Sequence, residues 1–149
     1  MANDNLSDIS TKIALSPGGE RTRSALGSAG SVAKPGDSVG IDSDGRVVRS
    51  DLGVSENFLG FLDINVETDI DTAIIQDVPC EIIIPQGGHD YAVHITDETA
   101  TVLAGAPYGF SADAGLMEEY AALNTAGVRA SLADDIATGD DYGKITWGI

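Results

Sequence analysis

The sequence has few residues of the kinds that build metal, cofactor or disulfide sites. Cys80 is the single cysteine, which excludes an intrachain disulfide and a cysteine-based metal cluster. The two histidines, His89 and His94, are five residues apart and point to opposite faces of an extended strand, so we do not expect them to share a metal. We predict that the protein has no catalytic, cofactor-binding or metal-binding residues.

Long apolar runs and aromatic residues are also scarce. No apolar run approaches the roughly 20 residues that span a bilayer, and Met1–Asn5 lacks the basic and apolar regions of a secretory signal. We therefore expect a protein made in the cytoplasm, without membrane contact. Aromatic residues make up 5% of the 149 residues, so the core must rest on aliphatic side chains.

Basic residues are outnumbered by acidic ones. The chain has 8 Lys and Arg against 24 Asp and Glu, a formal net charge of -16. Such a surface repels phosphates and anionic lipids, which argues against direct nucleic-acid binding. Asp-rich, Lys-poor composition is typical of proteins adapted to molar salt, where charge repulsion is screened and hydrated carboxylates keep the protein in solution. Recognition of a basic partner is the alternative interpretation.

Two common enzyme motifs are missing, since the chain has no G-x-x-x-x-G-K-[ST] or H-E-x-x-H sequence. Gly36–Gly40 does read G-x-S-x-G, but we interpret it as the end of a Pro-Gly-Asp turn that leads into a strand. Asp42–Gly45 imitates the start of a calcium loop, but the later ligands are absent, and we interpret it as a hairpin turn. We predict that the protein is not an enzyme, and a hydrolase with a site that these motifs do not mark is the competing hypothesis.

The sequence does contain short alternating strands separated by glycine turns, in an order that occurs twice. Val32–Val48 and Val102–Met117 each show a turn, a hairpin strand, a second turn and another strand. Three further matches extend the repeat, pairing Gly60 with Gly127, Asp69-Ile70 with Asp135-Ile136, and Glu81–Ile84 with the segment from Lys144 to Ile149. The pattern predicts an all-β barrel or sandwich built from two related units.

The predicted organisation has two parts. Residues 1–31 are expected to form an N-terminal arm with a first strand at Ile9–Leu15, and Glu20–Ser31 a long loop or extended arm. Residues 32–149 are expected to form the β-barrel-like domain, with duplicated halves at 32–84 and 102–149. Gly60 is predicted to mark a bulge or the close approach of another backbone.

The repeated turns resemble those of capsid decoration (cement) proteins of tailed viruses. The resemblance rests on turn and hydrophobic motifs and covers roughly Val32 to Ile149. In the first copy it is carried by Pro35–Val39, Asp44–Val47 and Leu59–Phe61, and in the second by Ala104–Tyr108 and Ala126–Val128. Pro107 and Tyr108 depart from the family pattern, and the Arg-bearing segment before Val32 lies outside it.

The resemblance implies a β-rich homotrimer or similar homo-oligomer on the exterior of the virion. Such a protein is made in the host cytoplasm, binds the major capsid protein lattice and stabilises the DNA-filled head. The acidity further suggests a virus that infects a halophilic host. We predict that capsid or subunit contact involves five residues of the N-terminal region: Ile9, Ile13, Leu15, Arg21 and Arg23.

A different function remains open from the residues alone. A β-barrel binding module of a viral tail, fibre or cell-surface assembly could recognise protein or carbohydrate. Its expected contacts are the aromatic side chains of Tyr91, Tyr108, Tyr120 and Trp147, for which packing in the core or at a subunit interface is the competing interpretation.

Overall fold

A computed structural model of the protein describes residues 12–16, 19–28, 33–50, 58–64, 72–96, 100–122 and 127–148. These residues form ten strands: β1 (Arg21–Leu26), β2 (Ser38–Ile41), β3 (Val47–Arg49), β4 (Gly60–Leu62), β5 (Pro79–Ile84), β6 (Asp90–His94), β7 (Pro107–Phe110), β8 (Met117–Glu119), β9 (Val128–Leu132) and β10 (Tyr142–Trp147). No described segment forms a helix of the length and apolarity that crossing a membrane requires.

The strands make two antiparallel five-stranded sheets that pack together, which confirms the all-β prediction. The first sheet has the order β1-β5-β4-β2-β3 and the second the order β6-β10-β9-β7-β8. In each sheet a single parallel bridge, Leu26 to Arg46 or Ile95 to Met117, joins the end of the first strand to the region of the third. Each sheet therefore curls towards closure, but the architecture is sandwich-like and is not a closed barrel.

The two sheets share one topology, strand for strand. Their hairpins pair equivalently, Ile41 with Val47 in the first sheet and Phe110 with Met117 in the second. The core positions also correspond: Ala33, Val39, Val47, Leu62, Ile74 and Ile82 in one sheet, and Val102, Tyr108, Met117, Leu132, Ile136 and Ile145 in the other. How the chain divides into domains stays a prediction, but the shared strand order begins at β1 and β6, both outside the predicted halves 32–84 and 102–149.

Backbone pairing changes two of the matches between the copies. Ile136 bonds to Val102 as Ile74 bonds to Ala33, so the equivalent of Ile136 is Ile74 and not Ile70. Gly60 lies opposite Val39 just as Ala130 lies opposite Tyr108, so Gly127 is not its equivalent. The sequence repeat aligns the two copies on their glycine residues. The strand register, however, is set by the apolar side chains that must face the core.

The expected loop or arm at Glu20–Ser31 is wrong for Arg21–Leu26, which is the edge strand β1. It forms a six-residue ladder with β5, from Arg21 opposite Ile84 to Leu26 opposite Pro79. Only Ala25 of this strand is buried, so the segment has no apolar alternation by which to recognise it. Its strand conformation comes from pairing with the apolar β5.

The sheets join through an apolar patch on the outer face of the first. Phe61 and Ile83 point away from their own sheet's core and belong to the cluster built around the second sheet. The equivalent positions of the second sheet are Ser131 and Thr146, which are polar and half-buried. Burying one such apolar side chain contributes about 1.5–3 kcal/mol. The outer face of the first sheet is therefore covered by the second sheet, while the equivalent outer face of the second sheet stays polar.

Asp77 provides a test of local backbone strain. It is the described non-glycine residue with a positive φ, 64°, in the turn where Val78 N–H donates to the Ile75 carbonyl, and its carboxylate pairs with Arg46. Asp77→Gly and Asp77→Ala both remove this ion pair, so their difference isolates the backbone term. We expect the glycine variant to be more stable by about 1 kcal/mol, because left-handed backbone is costly for alanine. Equal free energies of unfolding in urea denaturation would contradict this.

Candidate functional site

A type II turn places a carboxylate where the two sheets meet. In Lys34–Asp37, Pro35 presets the second position and Gly36 takes a φ of 92°, as this turn requires. Asp37 N–H donates to the Lys34 carbonyl at 2.9 Å, and Asp37 Oδ2 accepts the Lys34 N–H at 2.9 Å. The side chain thus closes the turn that begins β2.

The second sheet has the same carboxylate-closed turn, at Ala137–Asp140. Gly139 has a φ of 87°, and Asp140 Oδ2 accepts the Ala137 N–H at 2.9 Å. The sequence repeat does not align this turn with Lys34–Asp37, because the two turns precede different strands. Ala137–Asp140 leads into β10, the fifth strand of its sheet in chain order, whereas Lys34–Asp37 leads into β2, the second strand of its sheet. Both turns contain the dipeptide Gly-Asp, with the aspartate one or two residues before a strand, and this was the sequence signal that they share.

Asp37 is enclosed by residues of both sheets. Its Oδ1 lies 3.9 Å from His94 Nε2, and the neighbouring Gly36 carbonyl accepts the His94 N–H at 3.1 Å. Gly115 joins the sheets from the other side, since its carbonyl accepts the Ser38 N–H at 3.0 Å and its N–H donates to Ser50 at 2.7 Å. A Cβ on Gly115 would lie 3.1 Å from the Asp37 carboxylate, so this close packing needs glycine.

Burial changes the acid–base behaviour of Asp37. The residue is 3% exposed. Desolvation raises the pKa of its carboxyl to about 7, although the Lys34 N–H bond and the charges of Arg49 and Lys34 act to lower it. Asp37 therefore exchanges its proton near neutral pH, at the junction of the sheets.

A cleft of about 470 Å³ opens beside this junction. It is lined by Lys34, His94, Ile95, Thr96, Asp113, Leu116, Asp141 and Tyr142. Its floor includes the buried His94 ring, which meets Tyr142 edge to face at 4.6 Å, while Asp113 and Asp141 are exposed. Such a lining can hydrogen-bond a polar group or accept a cationic one. Within the described ranges, no three His, Cys, Asp or Glu side chains are placed to hold a metal ion.

A second polar network ties the start of β1 to β6. Glu20 Oε1 lies 2.9 Å from His89 Nδ1, and Glu20 Oε2 accepts the Tyr91 hydroxyl at 2.8 Å. The Tyr91 oxygen in turn accepts the Gln86 N–H at 2.9 Å. Burial raises the pKa of Tyr91 to about 12; the Gln86 N–H bond acts to lower it and Glu20 acts to raise it further, so the phenol stays protonated. Because Glu20 and His89 are far apart in the chain, no local motif announced this contact.

The predicted contact residues lie in different environments. Ile9 falls outside the described residues. Ile13 is completely buried and Leu15 is half-buried against the second sheet's core. Both belong to a segment that covers the edge of β6, where Ala14 bridges Tyr91. Of the four described members of the set, Arg21 and Arg23 are the two exposed residues, and the capsid or subunit contact itself stays a prediction.

Among the residues that the structure describes, the edge of β1 that faces away from β5 has no backbone partner along part of its length, and we call that part open. Gly27 N–H donates to Val78 at 3.0 Å, so alternate residues of β1 bond to β5 while Thr22 and Ser24 direct their backbone groups outward. At the far end Leu26 N–H reaches the Gly45 carbonyl at 3.5 Å. The open stretch is thus Thr22–Ser24, which contains Arg23 and directly follows Arg21.

Asp42 has a structural role in the turn that resembled a calcium loop. Its Oδ1 accepts the N–H groups of Asp44 and Arg46 at 2.9 and 3.0 Å. The Asp42 side chain therefore stabilises the hairpin that connects β2 and β3, as expected of an Asx turn.

Comparison with known proteins adds no family assignment, since no family model and no curated protein matches this chain. Function is therefore argued from the described geometry and from the sequence motifs.

Proposed function

We propose that this protein is a structural virion protein that binds, as a homo-oligomer, to the outside of the major capsid protein lattice and stabilises the DNA-filled head. The observation that carries the proposal is the open, basic edge of β1 on a protein of net charge -16. Capsid attachment itself comes from the resemblance of the turn motifs to decoration proteins.

An open strand edge supports a role in protein assembly. Unpaired backbone groups at a sheet edge accept a strand from another chain, and proteins usually cover such edges or protect them with charge. The edge of β6 is covered by Ile13–Leu15, through bonds such as Ala92 N–H to the Ile13 carbonyl at 2.8 Å. The equivalent strand β1 instead has Arg21 to Ser24 exposed.

Stabilisation of a shell would follow from repeated attachment. Several weak contacts from one oligomer to neighbouring capsid subunits act together, because each bound contact raises the local concentration of the next. The acidic surface fits a particle that must stay dispersed in molar salt, and it favours protein over nucleic acid as the partner. We therefore place the protein on the exterior of the head of a virus with a halophilic host.

The proposal predicts the composition and behaviour of purified heads. We expect near-stoichiometric copies relative to the major capsid protein by quantitative mass spectrometry, accessible to antibody on intact heads. Heads made without the gene should release DNA at a lower temperature, and adding back the purified protein should restore the wild-type value. A protein found only at trace level, or gene-deleted heads with unchanged thermal release, would contradict the proposal.

The alternative function, a binding module for protein or carbohydrate, has the cleft beside Tyr142 in its favour. The aromatic side chains expected to make its contacts do not support this alternative. Tyr91 and Tyr108 are completely buried, and Trp147 stacks on Phe58 with ring centroids 5.3 Å apart. These three side chains serve packing, so they do not form an exposed platform for a sugar.

A further inference from the structure

Four edge strands bound the two sheets: β1 and β3 in the first, β6 and β8 in the second. Ile13–Leu15 covers the edge of β6, and β3 ends in Arg49. By contrast β8 carries two carboxylates, Glu118, which is half-buried, and Glu119, which is exposed. Among the described edge strands, β8 is therefore the one whose charge complements that of β1.

We propose that the partner of β1 is a second copy of this chain, whose β8 strand adds beside β1 and continues the first sheet into the partner's second sheet. The proposal rests on the assembly role proposed above and names the subunit contact within it. The two strands are outer strands of different sheets and do not pair within the chain, so the contact joins two molecules.

Within the described part of the chain, the outer edge of β8 has no backbone partner at the end that bears Glu119. Ser111 N–H donates to the Leu116 carbonyl at 3.0 Å, and Tyr120 N–H donates to the Pro107 carbonyl at 2.8 Å. Because backbone groups alternate along a strand, those of Glu118 face β7 and those of Glu119 face outward. The other end of the strand is occupied, since the Met117 carbonyl accepts the Thr96 N–H at 2.9 Å. The open part of β8 is therefore short, as is Thr22–Ser24 on β1.

Attraction between charged side chains would add to the few backbone hydrogen bonds of so short a ladder. Cross-strand neighbours of opposite charge attract, and like charges placed opposite each other destabilise a pairing. Arg21 and Arg23 lie on one face of β1 and direct their backbone groups towards β5. In a parallel pairing an outward-facing residue lies opposite an inward-facing one, so Glu119 lies beside Arg21 or Arg23 and its backbone bonds to the residues on either side of that arginine. The same complementarity disfavours β1 against β1 or β3. Because the contact joins different surfaces, it is head-to-tail, as closed rings require.

Reciprocal charge reversal tests this contact. We expect purified wild-type protein to be an oligomer, by sedimentation and light scattering at about 0.15 M ionic strength, where the Debye length of about 8 Å leaves contacting charges effective. Arg23→Glu and Glu119→Arg should each weaken self-association about tenfold. The double variant Arg23→Glu/Glu119→Arg restores opposite charges on the two edges and should recover the wild-type mass. Lys12→Glu, an equal charge change at an exposed site, is the control and should have little effect.

Several outcomes would overturn the contact. They are a monomeric wild-type protein, single variants that keep the wild-type mass, and a double variant that fails to recover it while retaining the wild-type circular dichroism spectrum. Loss of head occupancy in Arg23→Glu without loss of the oligomer would likewise assign β1 to the capsid instead. The measurement needs no virus heads, so a rescued oligomer that is absent from heads would support the contact and contradict only the decoration role.

Discussion

Replacing Asp37 by asparagine is expected to remove a pH-dependent component of stability. Burial raises the pKa of Asp37 to about 7 from 3.8, so between these values the folded protein holds a proton that the unfolded chain has released. The associated stabilisation is complete below about pH 3.8 and is lost as the pH rises towards 7. A shift of about three pH units corresponds to about 4 kcal/mol.

The difference between variant and wild type isolates this effect, since the other titrating groups are common to both. We expect the free energy of unfolding of Asp37→Asn, relative to wild type, to increase steadily from pH 4 to pH 7.5 in urea denaturation. The asparagine side-chain oxygen can still accept the Lys34 N–H, which Asp37 Oδ2 accepts at 2.9 Å. The turn itself should therefore persist in the variant.

Asp37→Ala separates ionisation from turn closure. It should show the same relative change with pH, displaced downward by about 1 kcal/mol because the Lys34 N–H loses its acceptor. If Asp37→Asn follows the pH profile of the wild type, the proton at the sheet junction does not reside on Asp37.

Gly60→Ala is expected to be strongly destabilising, since the added methyl group meets the backbone of the neighbouring strand. A Cβ at Gly60 would lie 2.0 Å from the Ile83 carbonyl oxygen and 2.8 Å from the Ile83 carbonyl carbon. These are backbone atoms of β5, which cannot move away without opening the ladder that pairs Phe61 with Ile83. We expect a loss of about 3 kcal/mol or more, seen as a much lower melting temperature or as insoluble protein.

Gly87→Ala is the matched control for this substitution. Gly87 has an ordinary φ and no atom within 4 Å of its added Cβ. Its alanine variant should unfold within about 0.5 kcal/mol of the wild type. A melting temperature for Gly60→Ala close to that of Gly87→Ala would show that β4 and β5 are not in close contact at this position.

Strand formation and turn type could be predicted wherever a local pattern determines them. The β-branched run in Cys80–Ile84 indicates a strand, and Pro35-Gly36 indicates the turn before β2, because both signals depend on neighbouring residues. Gly60 was also predicted correctly as a place of close backbone approach, and the structure shows the approaching strand to be β5. Local sequence does not specify which strand approaches.

The candidate sites depended on distant residues and could not be predicted. His94 reaches Asp37, and His89 reaches Glu20, across more than 50 residues of chain. Ile13, which we predict from the sequence to take part in capsid or subunit contact, lies in the core, because its segment pairs with the edge of β6.

The opening stretch of the repeat shows how sequence and tertiary structure divide the determination of this protein. The sequence by itself determined that residues 34–37 turn and that β2 follows, because proline, glycine and aspartate act on their immediate neighbours. Only the tertiary structure decided that Asp37 is buried between the sheets, that Arg21–Leu26 is an open edge strand, and that one sheet's outer face is covered. These properties depend on which surfaces meet, and burial, charge complementarity and strand pairing act between residues that are remote in the chain.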